Sequence, residues 1–146
     1  MIRAFAVFAT SIGWCSIAWG PHGIARVRLP EGDEAAARTR AARRHPEAVE
    51  ALPPPGIDLA VRDMVRLLAG EPADLTRITL DMRDVPEFNR RVYAVARTIP
   101  PGETQTYGDV AARLGEPGAA RAVGQALGEN PFPIIVPCHR VLAAGG

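Results

Sequence analysis

The sequence predicts two successive domains: an α/β domain built on a small antiparallel sheet with helices, then a mainly α domain containing a helix-turn-helix. Three observations lead there. Short apolar runs broken by turn residues fill the stretch up to Leu29, the hydrophobic period changes to three- and four-residue intervals after Val85-Pro86, and Gly115-Glu116-Pro117-Gly118 separates two short helical stretches.

Ile2 to Phe8, Ile12 to Trp19 and Gly23 to Leu29 read as a meander of about three antiparallel strands, because Ser11-Ile12-Gly13 and Gly20-Pro21-His22-Gly23 interrupt them. Glu31 to Arg44 is rich in Ala and Arg and reads as a surface helix, with Asp33 placed to cap it and Pro46 to stop it. The proline run Leu52-Pro53-Pro54-Pro55-Gly56 reads as neither helix nor central strand. Asp58 to Leu68 then has helical spacing up to Gly70-Glu71-Pro72, and Thr76 to Met82 alternates like a further strand. A boundary near residue 84 gives domains 1–84 and 85–146. Three helices are expected in the second: Pro86 to Thr98, Tyr107 to Leu114 and Ala119 to Leu127. The last two suggest a helix-turn-helix, although any small α domain contains an αα-hairpin.

Composition removes several function classes. The formal charge is +1, so contact with a polyanion must come from a local arrangement of basic side chains. All 17 basic residues are Arg, which disfavours Schiff-base and P-loop lysine chemistry and leaves planar cations suited to bidentate recognition. Between Ile2 and Trp19 the apolar run is broken by Arg3, Thr10, Ser11 and Ser16, short of the roughly 20 residues a membrane span needs. The N-terminus lacks the order of a signal peptide and two cysteines make at most one bridge, so a reducing cytoplasm is expected.

The chemistry concentrates at the end of the chain. Phe132-Pro133-Ile134-Ile135-Val136-Pro137 is apolar and proline-punctuated, hence expected to be extended, and delivers Cys138-His139-Arg140 on a stiff arm. A free thiol with a pKa of about 8.5 is only slightly ionised at neutral pH, so a base or cation must raise the thiolate fraction, and His139 and Arg140 are the candidates. Neighbours on an extended chain point to opposite faces, so Cys138 and His139 need either a turn or a bridging water; the water is the favoured reading. A buried structural cysteine is the plainer alternative.

Ile99-Pro100-Pro101-Gly102-Glu103-Thr104-Gln105-Thr106-Tyr107, Ala120-Arg121-Ala122-Val123-Gly124, Asn130-Pro131 and Pro137-Cys138-His139-Arg140-Val141 occur in this order. Together they resemble the O6-alkylguanine-DNA alkyltransferases, closely over residues 86–142 and in kind before that. The resemblance implies a ribonuclease H-like first domain and a winged-helix-like second one. It implies DNA repair, with Cys138 accepting the alkyl group from O6 of guanine or O4 of thymine as a stable thioether. His139 would act through water as its base, and Asn130 would organise the local turn and hydrogen bonds. Tyr107 would help rotate the nucleotide out of the stack and donate a proton to the leaving guanine. Arg121 would fill the gap left by the flipped base from a helix lying in the minor groove, where Ala122 and Gly124 are small enough to admit the backbone. Thr106 completes the DNA-binding set, and Tyr107, Pro133, Val136 and Cys138 the substrate pocket. The plainer readings are a turn for Asn130, a core ring for Tyr107 and a surface cation for Arg121.

The resemblance further implies a monomer acting on double-stranded DNA that contains O6-alkylguanine, with no membrane partner. No cofactor and no metal are expected; Cys15 and His22 offer too few zinc ligands, and His45 is expected in an exposed Arg-rich helix. Relatives continue beyond the cysteine motif through a Gly- and Ser-bearing loop and a final helix, with a glutamate that orients the histidine. The expectation for 85–146 is therefore a truncated alkyltransferase domain, and a non-repairing alkylated-DNA binder or an inactive truncated homologue is the alternative. A major-groove regulator would place longer polar side chains on the recognition helix. A cysteine hydrolase would show an oxyanion-hole signal, and the sequence has none.

Overall fold

In the computed structural model, which describes residues 1–143, the chain divides into two units, Met1–Asp81 and Met82–Gly146. The first unit holds β1 (Ala4–Thr10), β2 (Gly13–Gly20) and β3 (Gly23–Arg28), joined by tight turns in which Gly13 and Gly23 take φ of 125° and 112°. Thr10 supports the first turn, its hydroxyl donating to the Gly13 carbonyl at 2.7 Å. The meander is antiparallel as expected, but the sheet is mixed. The two-residue β4 (Val49–Glu50) adds parallel to β1, giving the order β3-β2-β1-β4. Two residues between a helix and a proline run give no readable alternation.

The helix α1 (Glu34–Arg44) begins at Asp33, whose carboxylate accepts the Ala36 N–H at 2.9 Å. Its Ala41 packs with Phe5 and Ala18, which face each other across β1 and β2. The helix α2 (Pro55–Leu68) starts inside the proline run rather than at Asp58. Pro54 is extended, with ψ at 165°, and Pro55 takes the first helical position, where a missing N–H costs nothing. Gly70 ends α2, accepting a φ of 86° while its N–H and that of Glu71 donate to Leu67 and Arg66 carbonyls. The strand expected over Thr76 to Met82 is reduced to a bridge between Leu80 and Ile24. Asp81 N–H donates to the Ile24 carbonyl at 2.7 Å, and the alternation continues into no ladder.

The second unit contains α3 (Glu87–Ala96), α4 (Tyr107–Arg113) and α5 (Ala120–Gly128), with β5 (Gln105–Thr106) and β6 (Val141–Leu142) paired in parallel. Val92, Tyr93, Ala96, Val110, Ala111 and Val123 are all at or below 1% exposed and form the inner faces of the three helices. Burial of each valine contributes roughly 1.5–3 kcal/mol. Tyr93 adds a buried polar tie: its hydroxyl donates to the Ala126 carbonyl at 2.6 Å, which fastens α3 to α5. The turn between α4 and α5 is set by Gly115, whose φ is 77°, with the Glu116 N–H returning to the Ala111 carbonyl at 3.0 Å. Arg91 of α3 clamps that turn by donating to the Leu114 carbonyl at 2.8 Å and to the Glu116 carboxylate at 3.0 Å. Among the described residues no helix is long and apolar enough to cross a membrane.

Candidate active site and nucleic-acid interface

The segment expected to be a straight arm is a folded turn. Val136 N–H donates to the Phe132 carbonyl at 2.8 Å, and Ile134 sits at a φ of 78°, a region that β-branched residues rarely enter. Burial of Phe132, Ile134, Ile135 and Val136 holds this strained loop in place. Prolines alone suggested extension because each fixes only its own φ and biases the residue before it.

Asn130 organises the loop from both ends of its amide. Oδ1 accepts the Phe132 N–H at 2.8 Å, and Nδ2 donates to the Val136 carbonyl at 3.1 Å. That same carbonyl accepts the Cys138 N–H at 2.8 Å, across Pro137 with φ −80° and ψ 69°, an inverse γ-turn. Asn130 is thus linked through a single carbonyl to the backbone of Cys138. Val136 is 0% exposed, so it shapes the site through its carbonyl and through packing rather than through open surface. Pro133 is half-buried beside it.

Cys138–Arg140 forms a 3-10 turn, not a continuation of an extended arm. Side chains on such a turn diverge by about 120° per residue, so Cys138 and His139 share a turn yet point apart. Cys138 is half-buried and free, and His139 is exposed. Partial burial of the ring, and then the charge of Arg140, push the imidazole below its ordinary 6.5, which keeps it neutral and able to accept a proton near pH 7. The other cysteine is different: Cys15 is 0% exposed, and burial raises its thiol against a weaker opposing contact from Thr10. Of the two thiols, Cys138 is the accessible one.

Arg140, which the sequence offered only as a neighbouring cation, donates to the Ile99 carbonyl at 2.8 Å. This contact spans 41 positions, and no local pattern announces it. The β5–β6 pair reinforces the same closure, setting Gln105 beside Val141 and Thr106 beside Leu142. The residues before Tyr107 and those after Arg140 are thereby fixed to one another.

Thr106 is the N-cap of α4. Its hydroxyl accepts the Asp109 N–H at 3.0 Å while the Asp109 carboxylate accepts the Thr106 N–H at 3.0 Å. The capping box starts α4 at Tyr107, which is half-buried rather than a core ring. The ring lies against Gly124 of α5, where an added Cβ would come within 3.0 Å of Cε2. Arg121 and Ala122 are exposed in the first turns of α5, with Gln125 and Gly128 continuing the exposed side. Tyr107 and Gly124 are therefore brought together, and Cys138, His139 and Asn130 form one connected loop, while Arg121 and Ala122 stand apart on the open face of α5.

These features define a class: a mixed-sheet unit followed by a helical unit that carries a helix-turn-helix arrangement and a partly exposed thiol on a strained loop. The family model for the DNA-binding domain of 6-O-methylguanine DNA methyltransferase matches residues 87–146. A curated methylated-DNA–protein-cysteine methyltransferase from Mycolicibacterium paratuberculosis is 52% identical over 87 residues, covering 60% of this chain and 52% of that protein. The crystal structure of Mycobacterium tuberculosis O6-methylguanine methyltransferase superposes with a TM-score of 0.78 at 36% identity, covering 100% of this chain and 81% of that one. The M. tuberculosis protein in complex with DNA gives 0.75 at 32% identity, covering 98% and 80%. The chain belongs to the O6-methylguanine-DNA methyltransferase family. Its match spans about half the length of the first curated relatives.

Proposed function

We propose that this chain repairs double-stranded DNA by transferring the alkyl group of O6-alkylguanine, or of O4-alkylthymine, to Cys138. The observation that carries the reading is the half-buried Cys138 on a turn whose next residue is a neutral, exposed His139, in a chain belonging to this family. His139 takes the thiol proton through a water, and Sγ attacks the saturated carbon in line. The S–C bond forms as the C–O6 bond breaks, and the departing guanine receives a proton from Tyr107 at its oxygen or ring nitrogen. The thioether is stable, so each molecule acts once, with no cofactor or metal taking part.

The second unit is read as a winged helix-turn-helix in which α5 enters the minor groove. Its exposed Ala122 suits the roughly 6 Å width of that groove, while Gly124, the other small residue expected there, lies against the Tyr107 ring. Arg121 replaces the extruded base in the stack, and Thr106, through α4, holds Tyr107 beside the flipped nucleotide. Tyr107, Pro133, Val136 and Cys138 surround the base, Val136 by its backbone. The first unit is read as a ribonuclease H-like domain, and the acting species as a monomer.

Intact-mass spectrometry after incubation with a duplex carrying O6-methylguanine tests the reading. One methyl on Cys138, and none on Cys138→Ser, is the expected result. A folded protein that binds the lesion duplex and gains no mass would be a non-repairing binder.

A further inference from the structure

We propose that the corner between α1 and β3 in the first unit is an oxyanion site that takes a phosphate group. β3 is an edge strand, and its register places Arg26 opposite Ala18 and Arg28 opposite Ser16 of β2. Two residues apart on a strand, the two guanidinium groups share one face. That is the face on which α1 packs, since Ala18 meets Ala41 there, and Arg28 is within electrostatic reach of Arg40 and Arg44 of α1, as the C-cap His45 is of Arg26 and Arg28.

The gathering is electrostatically unfavourable as it stands. Burial, then Arg26, Arg44 and Arg40, lower the Arg28 guanidinium to about 10, with Glu31 opposing. Glu31 is itself paired with Arg40. Burial, then Arg28, Arg26 and Arg44, also push His45 down, so the imidazole stays neutral there. The C-terminal end of α1 steadies the cations of its own last turn, Arg43 and Arg44, while Glu31, shared with Arg40, is the carboxylate acting on Arg28. The Nε atoms of Arg26 and Arg28 are buried without a hydrogen-bond partner among the described residues. Buried donors are rarely left so, and two planar forks on one face match the oxygens of a phosphate. A bound phosphate would meet the outer N–H groups of these half-buried side chains, since the Nε atoms themselves are covered, and would supply the missing charge.

The test uses the full chain with inorganic phosphate, against chloride at equal ionic strength. Phosphate is expected to raise the melting temperature of the wild type and of the Arg62→Gln control. Arg26→Gln/Arg28→Gln should melt no lower than wild type in chloride, because like-charge repulsion is relieved, and should lose the phosphate increment. If the double variant does not fold, single Arg28→Gln is expected to lose at least half of it. A wild type without the increment, or an Arg28 variant that keeps it in full, overturns the proposal. The source of the phosphate is read separately from binding to an undamaged duplex. A nucleic-acid backbone held at this corner makes the double variant lower the slope of log affinity against log salt by about 2. An unchanged slope with the phosphate response lost in the variant assigns the site to a free phosphate compound.

Discussion

Gly124 and the ring of Tyr107 compete for the same space: a Cβ on Gly124 would lie 3.0 Å from Cε2 and 3.2 Å from Cδ2. A glycine inside a helix costs roughly 1 kcal/mol relative to alanine, so this position gives up helix stability to admit the ring. Gly124→Ala is expected to stay within about 1 kcal/mol of wild type, as better propensity offsets a displacement of a few tenths of an ångström. Gly124→Val should cost roughly 1–3 kcal/mol by overpacking and slow alkyl transfer further by turning the ring away. Thermal melts and single-turnover transfer measure the two effects. A valine variant that transfers at the wild-type rate would show that the position of Tyr107 does not matter.

Asn130 makes a split prediction, because its two amide atoms serve different segments of the loop. Asn130→Ala removes both bonds and is expected to destabilise by about 1–3 kcal/mol while slowing transfer. Asn130→Asp keeps the acceptor for Phe132 but turns a second oxygen on the Val136 carbonyl, so the Cys138 end of the loop is disturbed and the Phe132 end is not. Amide hydrogen exchange distinguishes them: protection at Phe132 should survive in the aspartate variant and fall in the alanine variant. Equal loss at both ends in both variants would count against this division.

The family resemblance places Thr106 among the DNA contacts, and its hydroxyl caps α4. Thr106→Val should therefore cost about 1 kcal/mol, within the usual range for a lost N-cap, and Thr106→Ser should restore most of it. Affinity for undamaged duplex, measured at fixed salt, should fall only as far as α4 frays. A valine variant of unchanged stability with sharply weaker binding would make the hydroxyl a direct DNA contact instead.

The contrast between Asp33 and Ile134 shows what was legible in the chain. Asp33 acts on an N–H only three positions away, and Gly115 meets a local requirement for positive φ, so helix ends were readable from neighbouring residues. The motifs around Cys138, Asn130 and Tyr107 were readable as a set because their order and spacing are distinctive. The left-handed Ile134 was not, since its conformation is imposed by burial of the surrounding loop. β4 was missed because a two-residue strand has no period, and the Thr76 to Met82 alternation misled because period 2 does not supply a partner strand. The Arg140 tie to Ile99, like the packing of Tyr107 on Gly124, exists only once distant segments meet.

His139 offers a prediction in pH. Burial, the larger cause, and the Arg140 charge both favour the neutral imidazole in the folded chain, placing it below 6.5. The unfolded chain then binds more protons in the interval between the two values, so stability increases with pH there and is lost as pH falls through the folded value. The same sign governs activity, because only the neutral ring accepts the thiol proton. The acid limb of the single-turnover transfer rate is expected below 6.5. Arg140→Gln removes the charge but keeps an N–H donor for the Ile99 carbonyl, so the limb should move upward and yet stay below 6.5 while burial persists. A melt at pH 8, where His139 is neutral with or without Arg140, checks that the turn survives. A limb that does not move in a variant of unchanged melting temperature would mean that the charge of Arg140 does not set the proton affinity of His139.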